Sequence, residues 1–253
     1  MAPDRDQGGA MTMDRATDLN CDLGEGEPWE KTRALLAAVT SANIACGGHA
    51  GDASSMRAIV RECRGHGTRI GAHPGHTGAF GRVPVAITAE GLERLLEVQV
   101  GTLRGIAGEE GTGLSHVKLH GALYHQADAV RALGEATLRF VARSVPGAVV
   151  YAPPAGWMAR LGPDLGVDVW SEGFLDRGYR DDGTLVPRSE AGAMVAGVPA
   201  VRERVREWLE TGEVRAVSGR RLRLPARTWC LHGDTPEAVA MLAAAREMFG
   251  GGA

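Results

Sequence analysis

Seven times along this chain a short run with period-two alternation appears, and most of these runs are followed by a stretch with helical spacing. That order leaves few folds open. The strands read as Asp18–Asp22, Ser41–Cys46, Thr68–His73, a run opening at His116, Ala148–Tyr151, Val167–Glu172 and Arg227–His232. The spacing predicts helices over 29–39, 52–66, 88–107, 127–145, up to Leu161, 189–211 and 236–249. Asp52 suits an N-cap, and Glu90 supports the first turn after Thr88. Alternating strands and helices pair in parallel through right-handed crossovers. Seven such units fit an α/β fold, a seven-stranded parallel β/α barrel slightly smaller than the eight-fold form, with a doubly wound open sheet as the competitor. Residues 214–224, Arg-rich around Ser218-Gly219, read as an inserted hairpin.

Composition narrows the partners. A net charge of −3 over 253 residues points to no nucleic acid. No apolar run approaches the roughly 18 residues of a membrane span, and no signal-peptide core is present. Residues 1–16 read as a disordered N-terminal tail, with a true start at Met11 or Met13 as one reading, and 17–253 as a single β/α barrel domain. Four cysteines without C-x-x-C spacing suit a reducing cytoplasm.

The reactive side chains fall at strand ends, which in a parallel α/β protein share one rim. Asn20 and Asp22 close the first strand; Asn43 and His49 lie in or just after the second; His73 closes the third. Lys118 and His120 close the fourth, and Glu172 closes the sixth with Asp176 and Arg177 just beyond. His232 and Asp234 follow the seventh, and Asp234 could equally be a helix cap. Five of the eight histidines (49, 73, 120, 125 and 232) occupy such places. Glu25 reads as a solvated loop residue, Cys46 as a small buried one and His76 as exposed. Gly47, Gly48 and Gly51 would let backbone N–H groups approach an anion ahead of a helix N-terminus. Arg82 suits either a carboxylate clamp or a salt bridge. The charged stretch through Tyr179 to Arg188 is long enough for a functional loop or lid. No P-loop and no dinucleotide fingerprint occurs, so a nucleotide must be bound otherwise or by a partner.

Six motifs together resemble the LamB/YcsF family. They are Asp18-Leu19-Asn20-Cys21-Asp22-Leu23-Gly24-Glu25, the Ser41–Asp52 segment, Gly71-Ala72-His73-Pro74, Val117–Tyr124, the loop from Asp176-Arg177-Gly178-Tyr179 to Pro187-Arg188-Ser189, and His232–Pro236. The resemblance spans about Asp18 to Phe249 and implies a seven-stranded barrel related to glycoside hydrolases and polysaccharide deacetylases. It implies the A subunit of an ATP-dependent 5-oxoprolinase, opening the lactam of 5-oxo-L-proline to L-glutamate with two other subunits, B and C. Catalytic roles are then expected for Asp22, His73, Lys118, His120, Glu172, Asp176, Arg177 and His232. Substrate contacts are expected for Asn20, Asn43, His49, Arg82, Tyr179, Arg188 and Asp234. Lys118 and Arg177 would stabilise developing negative charge, and Asp22, Glu172 or a strand-end His would orient water. ATP is the implied co-substrate. The alternatives are a stand-alone metal-dependent deacetylase with Asp22, His49 and His73 as ligands of a divalent ion, and a non-catalytic substrate-binding subunit. The chain departs from the family pattern at Gly48, Leu119 and His125, where Phe, Pro and Asn are usual, and in the Gly75–Ala79 stretch.

Overall fold

The computed structural model describes residues 17–250, so the tail expected at 1–16 lies outside the described residues. Seven parallel strands close into a barrel in the order β1 (Asp18–Leu23), β2 (Ser41–Ala45), β3 (Arg69–His73), β4 (His116–Val117), β5 (Val149–Ala152), β6 (Val169–Phe174) and β9 (Thr228–Cys230). The pairing of β1 with β9, Asp18 opposite Thr228, completes the ring and excludes the open sheet. The expected hairpin is present as β7 (Glu213–Arg215) and β8 (Arg221–Arg223), antiparallel and outside the barrel. The helices are α1 (Trp29–Ala38), α2 (Ala53–His66), α3 (Ala89–Glu109), α4 (Gly121–Ala129), α5 (Arg131–Ser144), α6 (Trp157–Leu161), α7 (Val198–Thr211) and α8 (Ala238–Met248). Among the described residues, no helix is long and apolar enough to cross a membrane.

Alternation along the strands sorts residues between two cores. In β1, Leu19, Cys21 and Leu23 belong to the apolar layer under the helices, where each buried leucine contributes about 1.5–3 kcal/mol. Asp18, Asn20 and Asp22 alternate with them and point inward, where they bond to side chains of other strands. The barrel interior is therefore polar from bottom to top. At the base, Asp18 accepts hydrogen bonds from Ser41 (2.6 Å) and Tyr151 (2.9 Å) and pairs with Arg69. Above it, the His116 ring stacks on Tyr151 at 4.3 Å and lies over Gly71.

Three helix boundaries differ from expectation for identifiable reasons. The helix expected over 127–145 is two, because Val130 adopts extended backbone (φ −108°, ψ 110°) between α4 and α5. The helix expected from Ser189 starts at Val198, since the preceding segment pairs back on the loop through an Arg177–Met194 bridge and turns at Gly197 (φ 88°). The last helix starts at Ala238, held back by a left-handed Glu237 (φ 58°). The expected N-cap is in place, Asp52 forming a capping box with Ser55, and Thr88, where the third helix was expected to start, caps it by accepting from the Gly91 N–H.

A Cβ on Gly71 would lie 2.0 Å from His116 Nε2, with no room to shift a ring wedged against Tyr151. Gly71→Ala is expected to destabilise the fold by about 1–3 kcal/mol, as other overpacked cores do. Urea denaturation checks this: the midpoint should fall with an unchanged m-value, and an unchanged midpoint contradicts the packing.

Candidate active site

Chain geometry brings the C-terminal ends of the strands to one rim; β4 stops at Val117, so Lys118 and His120 follow the strand rather than close it, and Lys118 meets Asp22 of β1 and Glu172 of β6 face to face. Lys118 Nζ lies 2.9 Å from Asp22 Oδ1 and 3.1 Å from Glu172 Oε1, and all three side chains are essentially closed to solvent. The ammonium also donates to Cys230 Sγ at 3.0 Å. Burial would push Lys118 down, but Asp22, Cys230 and Glu172 hold it well above its ordinary value. Burial would push the Asp22 carboxyl up, yet His73 and Lys118 hold it well below the usual carboxylate range. Glu172 goes the other way: burial raises it and Lys118 offsets only part of the rise. Its Oε2 and the Tyr124 hydroxyl are neighbours that fall short of good hydrogen-bond geometry, though Tyr124 still offsets part of the rise. Two amides brace the group from below. Asn43 Nδ2 donates to Asp22 Oδ1 (2.8 Å), and Asn20 Nδ2 donates to Glu172 Oε1 (3.1 Å).

Beside this group stands a second, built on imidazoles. His49 and His120 stack with ring centres 3.5 Å apart, and His73 meets His120 edge-on. Glu25 Oε1 lies 2.8 Å from His49 Nε2, 3.2 Å from His120 Nδ1 and 3.7 Å from His73 Nε2. His120 and His49 draw the Glu25 carboxyl below its ordinary value against the effect of burial. Burial lowers His73 to about 4. The donor atoms of Glu25, His49, His73 and His120 lie within 4.8 Å of one another and could hold a divalent metal. Two of the expected metal residues, His49 and His73, belong to this set. Asp22 groups instead with Lys118, and Glu25 stands in the carboxylate position.

The surroundings position these imidazoles. The loop after β3 passes through left-handed backbone at Ala79 (φ 41°), Phe80 (φ 49°) and Gly81 (φ 63°). For the two non-glycine residues this costs on the order of 1–3 kcal/mol each. The turn aims the Phe80 carbonyl at His120 Nε2, 2.8 Å away. Gln99 of α3 clamps Gly75, accepting from its N–H at 3.0 Å and donating to its carbonyl at 2.9 Å. It occupies the space a Cβ on Gly48 would need.

A cavity of about 640 Å³ opens above both groups; His125, Leu185, Pro187 and Arg188 are on its walls. At the rim Asp234 bonds Arg82 (2.8 Å) and Arg188 (3.2 Å), so Arg82 makes the salt bridge and one carboxylate serves two guanidiniums. Arg177 also faces the cavity, with Nη2 tied to the Val186 carbonyl. Asp176 is buried and accepts from His232 Nδ1 (3.1 Å) and Thr235 (2.6 Å). Tyr179 stands apart, its hydroxyl accepting from the Phe174 N–H.

Two readings of single residues are corrected. His76 is buried, bonded to Gln126 at 2.8 Å, because the loop folds back over α4. Glu25 is mostly buried in the imidazole group rather than solvated. Of the glycines expected to face an anion, Gly47 has its N–H engaged by the Ala50 carbonyl, and Asp52 caps α2 behind them. Sequence reasoning also passed over Gln99, Tyr124 and Cys230. Tyr124 had a signal, one helical turn after His120; Gln99 had none, sitting on a helix far from any motif.

A family model described as LamB/YcsF family matches residues 17–251. The chain is 41% identical over 232 residues to the 5-oxoprolinase A subunit of Nitrobacter winogradskyi, covering 88% of this chain and 89% of that protein. It is 40% identical over 233 residues to the 5-oxoprolinase A subunit of Symbiobacterium thermophilum, covering 90% and 89%. The crystal structure of a lactam utilization protein from Thermus thermophilus superposes with a TM-score of 0.85 at 32% identity, over 93% of this chain and 98% of that one. An uncharacterized protein from Agrobacterium tumefaciens shares the fold alone, with a TM-score of 0.53 at 12% identity over 96% of this chain and 87% of that one.

Burial also lowers His116, to about 3, although its ring is fully bonded as a neutral imidazole between Ser115 and Asn43. A folded pKa below the unfolded value of about 6.5 means the unfolded chain takes up the proton first. Stability from this residue is therefore complete above pH ~6.5 and is lost as pH falls toward 3. His116→Gln is expected to flatten stability against pH between about 6.5 and 4, by up to roughly 1.4 kcal/mol per pH unit. Urea midpoints across that range check it; an unchanged slope contradicts the burial argument.

Proposed function

The chain belongs to the LamB/YcsF family, and from that premise we propose that it opens a lactam, that of 5-oxo-L-proline, to L-glutamate. It works as the A subunit of a cytoplasmic 5-oxoprolinase with two further subunits, B and C, and the reaction is driven by ATP hydrolysis. What carries the reading is a buried ammonium between two carboxylates: Lys118 and Asp22 at the floor of a 640 Å³ cavity with arginines on its walls, and Glu172 closed in behind Lys118.

A five-membered lactam is an unactivated amide, so its opening requires charge stabilisation at oxygen and proton delivery to nitrogen. Lys118 is a fixed cation for the oxygen, oriented in advance and shielded from water, which makes it worth far more than a solvated one. Asp22 stays ionised and keeps Lys118 charged. Glu172, with its raised pKa and poorly bonded Oε2, is suited to trade a proton with the attacking water or the leaving nitrogen. Asp176 orients His232 as a second proton carrier, and Arg177 with Arg188 suits the carboxylate of 5-oxoproline. A divalent ion held by Glu25, His73 and His120 would supply Lewis acidity beside Lys118. With no P-loop in the sequence, the nucleotide either meets this cavity by other contacts or is held by one of the partner chains.

Reconstitution with the proteins of neighbouring genes, measuring ATP-dependent glutamate release from 5-oxo-L-proline, tests the proposal. Lys118→Met is expected to lower kcat by roughly 100-fold or more while the complex still assembles. Normal turnover by that variant overturns the assignment. Turnover by the wild-type chain alone, without partners, overturns the reading as one part of a larger enzyme.

A further inference from the structure

We infer that Glu25, His73 and His120, with His49 braced against Glu25, form a specific site for a borderline divalent transition ion of the zinc class. The hydrogen bonds around the rings are the reason. His73 Nδ1 lies 2.7 Å from the Lys118 carbonyl, and His120 Nε2 lies 2.8 Å from the Phe80 carbonyl. A carbonyl only accepts, so both of these nitrogens carry the proton. The remaining nitrogens, His73 Nε2 and His120 Nδ1, are then left with lone pairs, yet they face each other at 2.9 Å. Asp22 Oδ2 at 3.3 Å and Glu25 Oε1 at 3.7 Å also face His73 Nε2. Between the two ring nitrogens and Asp22 Oδ2 there is no donor; His49 Nε2, 2.8 Å from Glu25 Oε1, can donate to that carboxylate alone. A cation at the centre resolves the conflict; an extra proton on one ring is the competing solution.

The distances favour the metal. Ligand atoms about 2.0–2.1 Å from a tetrahedral zinc stand roughly 3.3 Å apart. The pairs among the three ligand atoms are 3.2, 3.7 and 2.9 Å. Donation of the far ring nitrogen to a carbonyl is the usual outer support of a metal-bound histidine, and both rings have it. His49 lies parallel on His120 with ring centres 3.5 Å apart, so their in-plane lone pairs cannot meet at one ion; its Nε2 instead stands 2.8 Å from Glu25 Oε1 and holds that carboxylate. Glu25 is itself oriented, because Glu27 accepts from the N–H groups of Gly24 (2.7 Å) and Glu25 (2.9 Å). Two imidazoles and one carboxylate suit zinc, cobalt or nickel and disfavour magnesium and calcium, which take oxygen ligands. A separate cavity of about 480 Å³ reaches Glu25 and His49 from outside past Glu27 and Asp52, an acidic route for a cation.

The other group with metal-like donors, Asp22, Cys230 and His232, is unsuitable. The Lys118 ammonium already occupies Asp22 Oδ1 and Cys230 Sγ, and a metal ion there would stand against a positive charge.

The inference goes beyond the lactam reading and is tested without lactam, ATP or partners. The full chain is stripped with a chelator and titrated with ZnCl2 by calorimetry, then with CoCl2 by absorption. One equivalent should bind, with a raised melting temperature and a cobalt d–d band that lacks thiolate-to-metal charge transfer. His120→Asn and Glu25→Gln should each weaken binding by roughly 100-fold or more, and Cys230→Ser should leave it unchanged. Circular dichroism of each metal-free variant separates lost binding from lost fold. Absence of stoichiometric binding to the wild type, equal binding by the folded variants, or loss of binding in Cys230→Ser would each overturn the site.

Discussion

A buried ammonium is the constraint from which most of this barrel's interior follows. Taking Lys118 out of water costs several kcal/mol even after relaxation, so its donors must all be met inside the protein. Asp22 and Glu172 meet the charge, but they are themselves buried carboxylates with further lone pairs to satisfy. The amides of Asn20 and Asn43 meet those in turn. Asn43 Nδ2 donates to Asn20 Oδ1 and Asp22 Oδ1, which leaves its own oxygen to accept from His116. Asn20 Nδ2 reaches Glu172 and Thr228, and Thr228 donates to Asp18 at the base. One charge at the mouth thus propagates a requirement for polar residues down the whole column. Barrels of this type are more often filled with branched aliphatic side chains. Here the apolar core lies outside the strands, and the inside is a hydrogen-bonded pillar that fixes where the reactive groups stand.

The fold reads from the sequence because strand alternation was strong and followed by helices. It was also visible which strand ends carried polar residues. Asp18, Asn20 and Asp22 alternate with Leu19, Cys21 and Leu23, and that pattern alone separates the two faces. The convergence of Asp22, His73, Lys118, Glu172 and His232 followed from parallel topology. What stayed illegible depended on the third dimension. Glu25 lies past the strand in a Gly-rich turn, and only Glu27 and the imidazoles bring it inward. The split at Val130 arises from backbone bending that helical periodicity does not encode. Burial of His76 depends on Gln126, fifty residues away in sequence.

Two buried carboxylates flank one ammonium and are driven in opposite directions. Asp22 and Glu172 both touch Lys118 at about the same distance, 2.9 and 3.1 Å. Asp22 has in addition His73 and the Asn43 amide, and is held ionised. Glu172 has one oxygen saturated and the other poorly bonded beside Tyr124, so burial prevails and its proton is retained more easily. Environments that push neighbouring acids apart are how one site keeps a permanent anion next to a proton carrier. The ammonium between them need not move for the proton to do so. A substrate oxygen entering from the cavity would meet a charge already balanced by Asp22, leaving Glu172 free to exchange its proton.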